Sequence, residues 1–344
     1  MKKLLLHIGT GKTGSSTLQK TLKRQQQEDA LNGIAYPKIG SLSNHNELCT
    51  LVMPHDRVRR DIRSKYPSAN SDYECFRSSI RQALDYALSQ DNKNLILSGE
   101  YFCGFSDDEV VLFKELLEQY NFSEIKVVVY FRPPVELYLS QIQQRIKASS
   151  KFANPNNYKF YYKDIYTRWK FSFKNIEVRE FKKERLVEGD VVSDFYSLIN
   201  SFFGVNLTVP KKIGKSNESL STAGMLIQHE YRRFIYPSDN NVFKKDSTHL
   251  LKLINDAERM SGLTDKPRLQ QWVKESIIDN NKEELNWLER ELGIDFSYDI
   301  ESHKSDSEKN CFGGALTDVL EVDEHVLVQK QQLVSMVLKA LLEA

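Results

Sequence analysis

The chain has 344 residues, enough to bury a sizeable core in one large domain or two smaller ones. Lys plus Arg number 48 and Asp plus Glu 47, a formal charge of +1, which argues against broad electrostatic capture of nucleic acid and leaves any anion site to local placement of charge. Cys49, Cys75, Cys103 and Cys311 are widely spaced with no CxxC pair, so neither a zinc site nor a disulfide framework is indicated; reduced thiols in a cytoplasmic protein are expected.

Residues 4–8, Leu-Leu-Leu-His-Ile, predict a buried strand, with His7 as a core residue. The run is too short for the apolar region of a signal peptide. No stretch approaches the roughly 18 to 20 apolar residues that span a bilayer, so a soluble, non-transmembrane chain is expected. The strand leads directly into Gly9-Thr10-Gly11-Lys12-Thr13-Gly14-Ser15-Ser16-Thr17, and a helix follows with apolar positions from Leu18 and Leu22. A strand, a glycine-rich loop with one lysine and a helix start make an anion site, because backbone N–H groups, the helix dipole and the ammonium all favour negative charge there.

Further strands are predicted at 34–36, 95–98, 125–131 and 176–181, with helices at 76–88 and 110–120 between them. The stretch from Lys126 to Phe131 is nearly continuous and β-branched, as in a parallel strand covered on both faces. This alternation predicts a doubly wound α/β sheet to about residue 205, with ligands at the carboxyl ends of its strands. Beyond residue 220 the pattern is helical, at 223–235, 248–260, 269–278 and 283–292, followed by a polar linker at 302–309 and an amphipathic helix at 326–342. The expected organisation is an α/β core over 1–222, a helical part of the same domain over 223–300, and a linker with tail helix over 301–344.

A nucleoside-triphosphate loop requires Gly, four residues, then Gly-Lys-Ser/Thr. Gly11-Lys12-Thr13 supplies the second half, but Leu6 stands where the first glycine belongs, and registering from Gly9 puts Gly14-Ser15 in place of Gly-Lys. What remains, Lys12-Thr13-Gly14-Ser15-Ser16-Thr17, resembles the 5′-phosphosulfate loop of the sulfotransferases that use 3′-phosphoadenylyl sulfate (PAPS). A second match lies more than a hundred residues on, where the strand ends in Arg132-Pro133-Pro134 and Ser140 follows in a helix, similar to the family's 3′-phosphate site. Arginine offers a planar fork to a phosphate and serine a hydroxyl donor. The segment from Phe181 to Phe195, Lys215-Ser216-Asn217-Glu218-Ser219-Leu220-Ser221, and the stretch from Asn280 to Phe296 are similar to further parts of bacterial members. The likeness covers about residues 1–300.

The resemblance implies a P-loop-like three-layer fold with a central parallel sheet, plus a helical C-terminal part. It implies PAPS as donor, adenosine 3′,5′-bisphosphate (PAP) as product, and no metal. Lys12 would serve the leaving group, Thr13, Gly14, Ser15, Ser16 and Thr17 would cradle the phosphosulfate, Arg132 and Ser140 would take the 3′-phosphate, and Lys215 would add a donor contact. Glu100, closing the strand at 95–98, is the first candidate base; His45 is the second, although Asn46 replaces the second histidine often found in bacterial members. Arg145 and Lys147 are weaker candidates for the acceptor. The acceptor implied by the family is a saccharide hydroxyl on a cell-surface glycan or glycolipid, with the enzyme cytoplasmic or peripheral at the inner face of the membrane. The charge run around His55, Asp56, Arg57, Arg59 and Arg60 is expected to be a solvated face or mobile segment. A divergent P-loop nucleotide or sugar kinase is the enzyme alternative. A non-catalytic nucleotide-binding protein is the other, and helix 326–342 is the expected docking or homo-oligomer element.

Overall fold

A computed structural model of the chain describes residues 2–89, 94–211, 219–263, 265–296 and 312–343. In chain order the strands are β1 (Lys3–His7), β2 (Ile34–Ala35), β3 (Asn94–Ser98), β4 (Glu124–Phe131) and β5 (Asn175–Glu180). The helices of the first half are α1 (Ser15–Gln27), α2 (Arg60–Arg63), α3 (Ser71–Ser89), α4 (Asp107–Glu118), α5 (Pro134–Arg145) and α6 (Tyr162–Ser172). They are followed by α7 (Val191–Phe203), α8 (Thr222–Ile235), α9 (Lys245–Ser261), α10 (Gln271–Leu292) and α11 (Glu324–Leu342). Contacts divide the chain into two compact units, one of Met1–Arg132 with Tyr161–Lys212 and the other of Pro133–Phe160 with Ile213–Ala344.

The first unit is α/β. Its five strands form one all-parallel sheet in the order β2-β3-β1-β4-β5, so β1 is central and each expected strand is present. Parallel strands need helical crossovers, and these cover both faces. Leu5, Ile96, Val128 and Tyr130 on one face pack against Leu18 and Leu22 of α1 and Phe195 and Ile199 of α7. Beyond the other face α4 and α6 pack together, Phe105 and Phe113 meeting Trp169, while Tyr162 sits edge-on to Phe131. Each fully buried Leu, Ile or Phe contributes about 1.5–3 kcal/mol, so these layers fix where the carboxyl ends of β1, β3 and β4 lie.

The second unit is helical. Residues expected to divide into two helices at 269–278 and 283–292 form the single α10 instead. Asp279-Asn280-Asn281-Lys282 looks like a break in sequence, but Asn281 is fully buried and spends its amide on Phe160 N–H, Tyr158 O and Ile277 O at 2.7–3.0 Å, so the helix runs on. The tail helix α11 packs on α8 and α9 through Leu333 and Val337, and α5 joins this unit rather than the sheet. The core/helical-part boundary expected at residue 222 therefore differs from the division seen. The expected linker at 302–309 lies outside the described residues. Among the described residues no helix is long and apolar enough to cross a membrane.

Candidate functional site

The glycine loop leaves the carboxyl end of β1. Ile8 N–H continues the pairing to Val128 O at 3.0 Å, and Gly99 N–H reaches back to His7 O at 3.0 Å, so the loop starts between the ends of β4 and β3. Thr10 Oγ1 donates to Tyr130 O at 2.7 Å, and Thr13 Oγ1 donates to Thr10 O at 2.7 Å, closing the loop on itself. Gly9 is required by space: a Cβ there would lie 2.5 Å from Ser15 Oγ. Gly14 is required by conformation, with φ 78° at the position preceding α1, and a Cβ would lie 2.8 Å from Val191 Cγ1.

Lys12 also has a left-handed backbone, φ 69°, which an L-residue with a side chain adopts at a cost of about 1–2 kcal/mol. α1 begins with no side-chain cap and no acidic residue in its first turn, and among the described residues nothing accepts from the N–H of Ser15 or Ser16. A left-handed loop leading into an open helix start is the backbone form of an anion-binding concavity.

Two further groups reach this loop from the neighbouring strands. Arg132, at the end of β4, donates from Nη1 to Lys12 O at 2.9 Å, its guanidinium 5.5 Å from the centre of the Phe181 ring. Tyr162 Oη donates to Arg132 O at 2.5 Å and steadies that turn. Glu100 follows the end of β3 and is half-buried. Burial pushes its carboxyl pKa up from the ordinary value, while the charges of Arg59 and Lys12 and a hydrogen bond with the Ser15 hydroxyl pull it back. Lys12, Thr13, Gly14, Ser15, Glu100 and Arg132 thus meet at one end of the sheet, with the exposed Ser16 and Thr17 side chains in the first turn of α1.

His45 is placed otherwise than a base requires. Its Nδ1 accepts from Ser98 N–H at 2.9 Å and its Nε2 faces Pro37 O at 2.8 Å, so the ring is the neutral tautomer with both nitrogens committed to backbone. It is 1% exposed, and burial lowers its pKa to about 4. His45 clips the segment after β2 onto the edge of β3 and has no lone pair left for an acceptor hydroxyl. His7 is a core residue as expected: Nδ1 lies 2.8 Å from Ser98 Oγ, which also accepts from Gln19 Nε2 at 3.1 Å, and burial lowers its pKa to about 4.

Arg132 belongs to the first unit, whereas Ser140, Arg145 and Lys147 belong to the second. Ser140 is half-buried on α5, and its hydroxyl hydrogen-bonds to no described residue; Arg145 is exposed in the last turn, where a cation complements the helix dipole. Burial lowers the Lys147 pKa. Lys215 lies outside the described residues. Of the aromatic residues between 158 and 169, Tyr158 enters the core of the second unit while Trp169 stacks on Phe105 and Phe173 in the first.

The charge run at 55–60 is largely solvent-exposed, as a solvated face would be, but two of its arginines have fixed partners. Arg57 pairs with the buried Glu109 at 3.3 Å, and the Arg59 guanidinium sits 4.2 Å from the centre of the Tyr101 ring. No periodicity or motif links positions 59 and 101, so this pair is seen only in three dimensions. Among the described residues no cluster of three or more His, Cys, Asp or Glu is placed to hold a metal ion. Neither a protein-family model nor a curated protein matches the chain.

Proposed function

We propose that this protein is a PAPS-dependent sulfotransferase, transferring a sulfuryl group to an acceptor hydroxyl on a saccharide of a glycan or glycolipid, in the cytoplasm. The observation that carries the reading is the hydrogen bond from Arg132 to the Lys12 carbonyl beside the uncapped start of α1, which gathers two separate anion-binding groups at one sheet edge. The sheet order, with the loop at the end of a central parallel strand, supports the P-loop-like fold that the reading requires. The residues suit a donor with phosphates at both its 5′ and 3′ ends: open N–H groups, a lysine and hydroxyls for one, a planar guanidinium for the other.

PAPS, when bound, supplies an activated sulfuryl group and an anionic leaving phosphate. Lys12 holds positive charge where that negative charge accumulates, and the N–H groups of Ser15 and Ser16 stay oriented by α1 rather than by solvent. Arg132 binds the 3′-phosphate, with Ser140 and Lys215 as further donor contacts carried by sequence likeness. Glu100 accepts the proton of the acceptor hydroxyl, a role that its raised pKa favours, because a stronger carboxylate base is better matched to a weak acid. Arg145 and Lys147 remain the weaker acceptor contacts.

Thermal unfolding in the presence of nucleotides tests the reading. PAP at a hundredfold excess over its dissociation constant should stabilise the protein by about 2.7 kcal/mol. Protection by ATP with Mg²⁺ and none by PAP would overturn the assignment in favour of a kinase. Transfer of labelled sulfate to a panel of envelope glycans then identifies the acceptor.

A further inference from the structure

The segment preceding α3 places an arginine beside Glu100 that the donor reading does not use. Arg59 is exposed, immediately precedes α2, and holds its guanidinium carbon 4.2 Å from the centre of the Tyr101 ring. The platform is held in place: Tyr101 Oη donates to Asp61 Oδ2 at 2.6 Å, and its N–H donates to Asn46 Oδ1 at 3.2 Å. Tyr101 directly follows Glu100, and the Arg59 charge acts on Glu100 more strongly than that of Lys12 does. Among the described residues the Arg59 side chain makes no hydrogen bond and no ion pair, so its N–H groups are available while the cation rests on the ring. An arginine fixed in this way presents a planar fork, the geometry that takes a carboxylate or phosphate through paired hydrogen bonds.

Position separates this fork from the donor. Arg132 approaches the glycine loop from β4, whereas Arg59 rests on the residue after Glu100, at the end of β3, the opposite neighbour of β1. Resting on the sulfotransferase reading, we propose that Arg59, braced by Tyr101, binds an oxyanion carried by the acceptor, so that the substrate is an acidic saccharide whose reacting hydroxyl is delivered to Glu100. Arg59 is then a binding residue for specificity; it takes no proton and no sulfuryl group.

The test uses the full chain saturated with PAP and three tetrasaccharides that share one backbone. One carries uronate carboxylates, one is its carboxyl-reduced neutral form, and one is that neutral form bearing phosphate monoesters. Affinity is measured by calorimetry for the wild type and for Arg59→Gln. At least one acidic form should bind about ten- to a hundredfold more tightly than the neutral one, the range expected of a charge-assisted pair. Which acid gains distinguishes carboxylate from phosphate. Arg59→Gln should reduce the acidic forms to the neutral level while PAP affinity and thermal midpoint stay within error. Equal binding of all three, no binding of either acid, or a matching loss of PAP affinity in Arg59→Gln overturns the assignment and leaves the donor reading standing. Failure of the wild type to bind PAP overturns the donor reading, and this proposal with it.

Discussion

The starts of α1 and α4 show how one sheet edge treats two helices differently. Both helices follow adjacent parallel strands, β1 and β3, and both point N–H groups towards the carboxyl end of the sheet. α4 is sealed by its own sequence. Ser106 Oγ accepts from Glu109 N–H at 3.3 Å, Glu109 Oε2 accepts from Ser106 N–H at 2.8 Å, and Asp107 and Asp108 add negative charge to the first turn. α1 has none of this: Gly14 stands where the cap would be, no acid follows, and the strained Lys12 adds positive charge instead. A helix start without an internal acceptor forgoes about 1 kcal/mol of capping. A left-handed lysine costs a similar amount again. Strain and unsatisfied donors are concentrated in one loop, beside a neighbour that shows neither, and the proposed donor site rests on that contrast.

Glu100 tests the comparison hardest, because it lies on the chain between β3 and α4 yet its pKa responds to Ser15 of α1 and to Lys12. Glu100→Gln should lower turnover by about 10²- to 10⁴-fold, the range of general-base catalysis, with PAP affinity retained. Its raised pKa also sets the pH dependence. In the wild type, turnover should rise with pH through the Glu100 pKa, above the ordinary glutamate value of 4.5, and that acid limb should vanish in the variant. For stability the sign is the reverse: a raised folded-state pKa favours folding below the unfolded value, and this contribution is lost as pH rises through the folded value. Glu100→Gln should therefore unfold at a higher temperature than wild type at neutral pH, with the advantage shrinking in acid. Lys12→Gly comes next. It should lower turnover on the order of 10²- to 10³-fold, as loss of a transition-state charge partner does. Because glycine adopts φ 69° without strain, the thermal midpoint should hold or rise. A fall in midpoint with unchanged turnover would make the lysine a structural residue and dissolve the contrast with α4.

The sheet was legible because central parallel strands are buried on both faces and so carry near-continuous apolar runs; the stretches at 4–8, 95–98 and 125–131 match β1, β3 and β4 within a residue or two. The meeting of Lys12 with Arg132 was legible for the same reason, since both stand at carboxyl ends of strands that pair side by side. The role of His45 was not. A loop histidine carries no mark in sequence of whether its nitrogens meet solvent or, as here, Ser98 N–H and Pro37 O. The run containing Arg59 looks like any solvated charge cluster until Tyr101 and Glu109 are brought beneath it. The unbroken α10 depended equally on distant partners, the backbone of residues 155–160 satisfying Asn280 and Asn281.

The two helix starts can also be exchanged in character. Ser16→Asp places an exposed carboxylate in the first turn of α1, giving it the acid that α4 has. Interaction with the helix dipole should raise stability without ligand by about 0.3–1 kcal/mol. The same carboxylate would repel a bound phosphate a few ångströms away, lowering PAP affinity by roughly ten- to a hundredfold in calorimetric titration. Ser106→Ala is the smallest change and the control for all the others. Removing the cap from α4 should cost about 1 kcal/mol in chemical denaturation, since the N–H groups of its first turn lose an acceptor and nothing replaces it. PAP affinity should not move, because the α4 start lies under its own carboxylates and under Arg57, which pairs with Glu109. If uncapping α4 weakened PAP binding as much as Ser16→Asp does, the two helix starts would share one ligand, and the openness of α1 would no longer be what locates the donor.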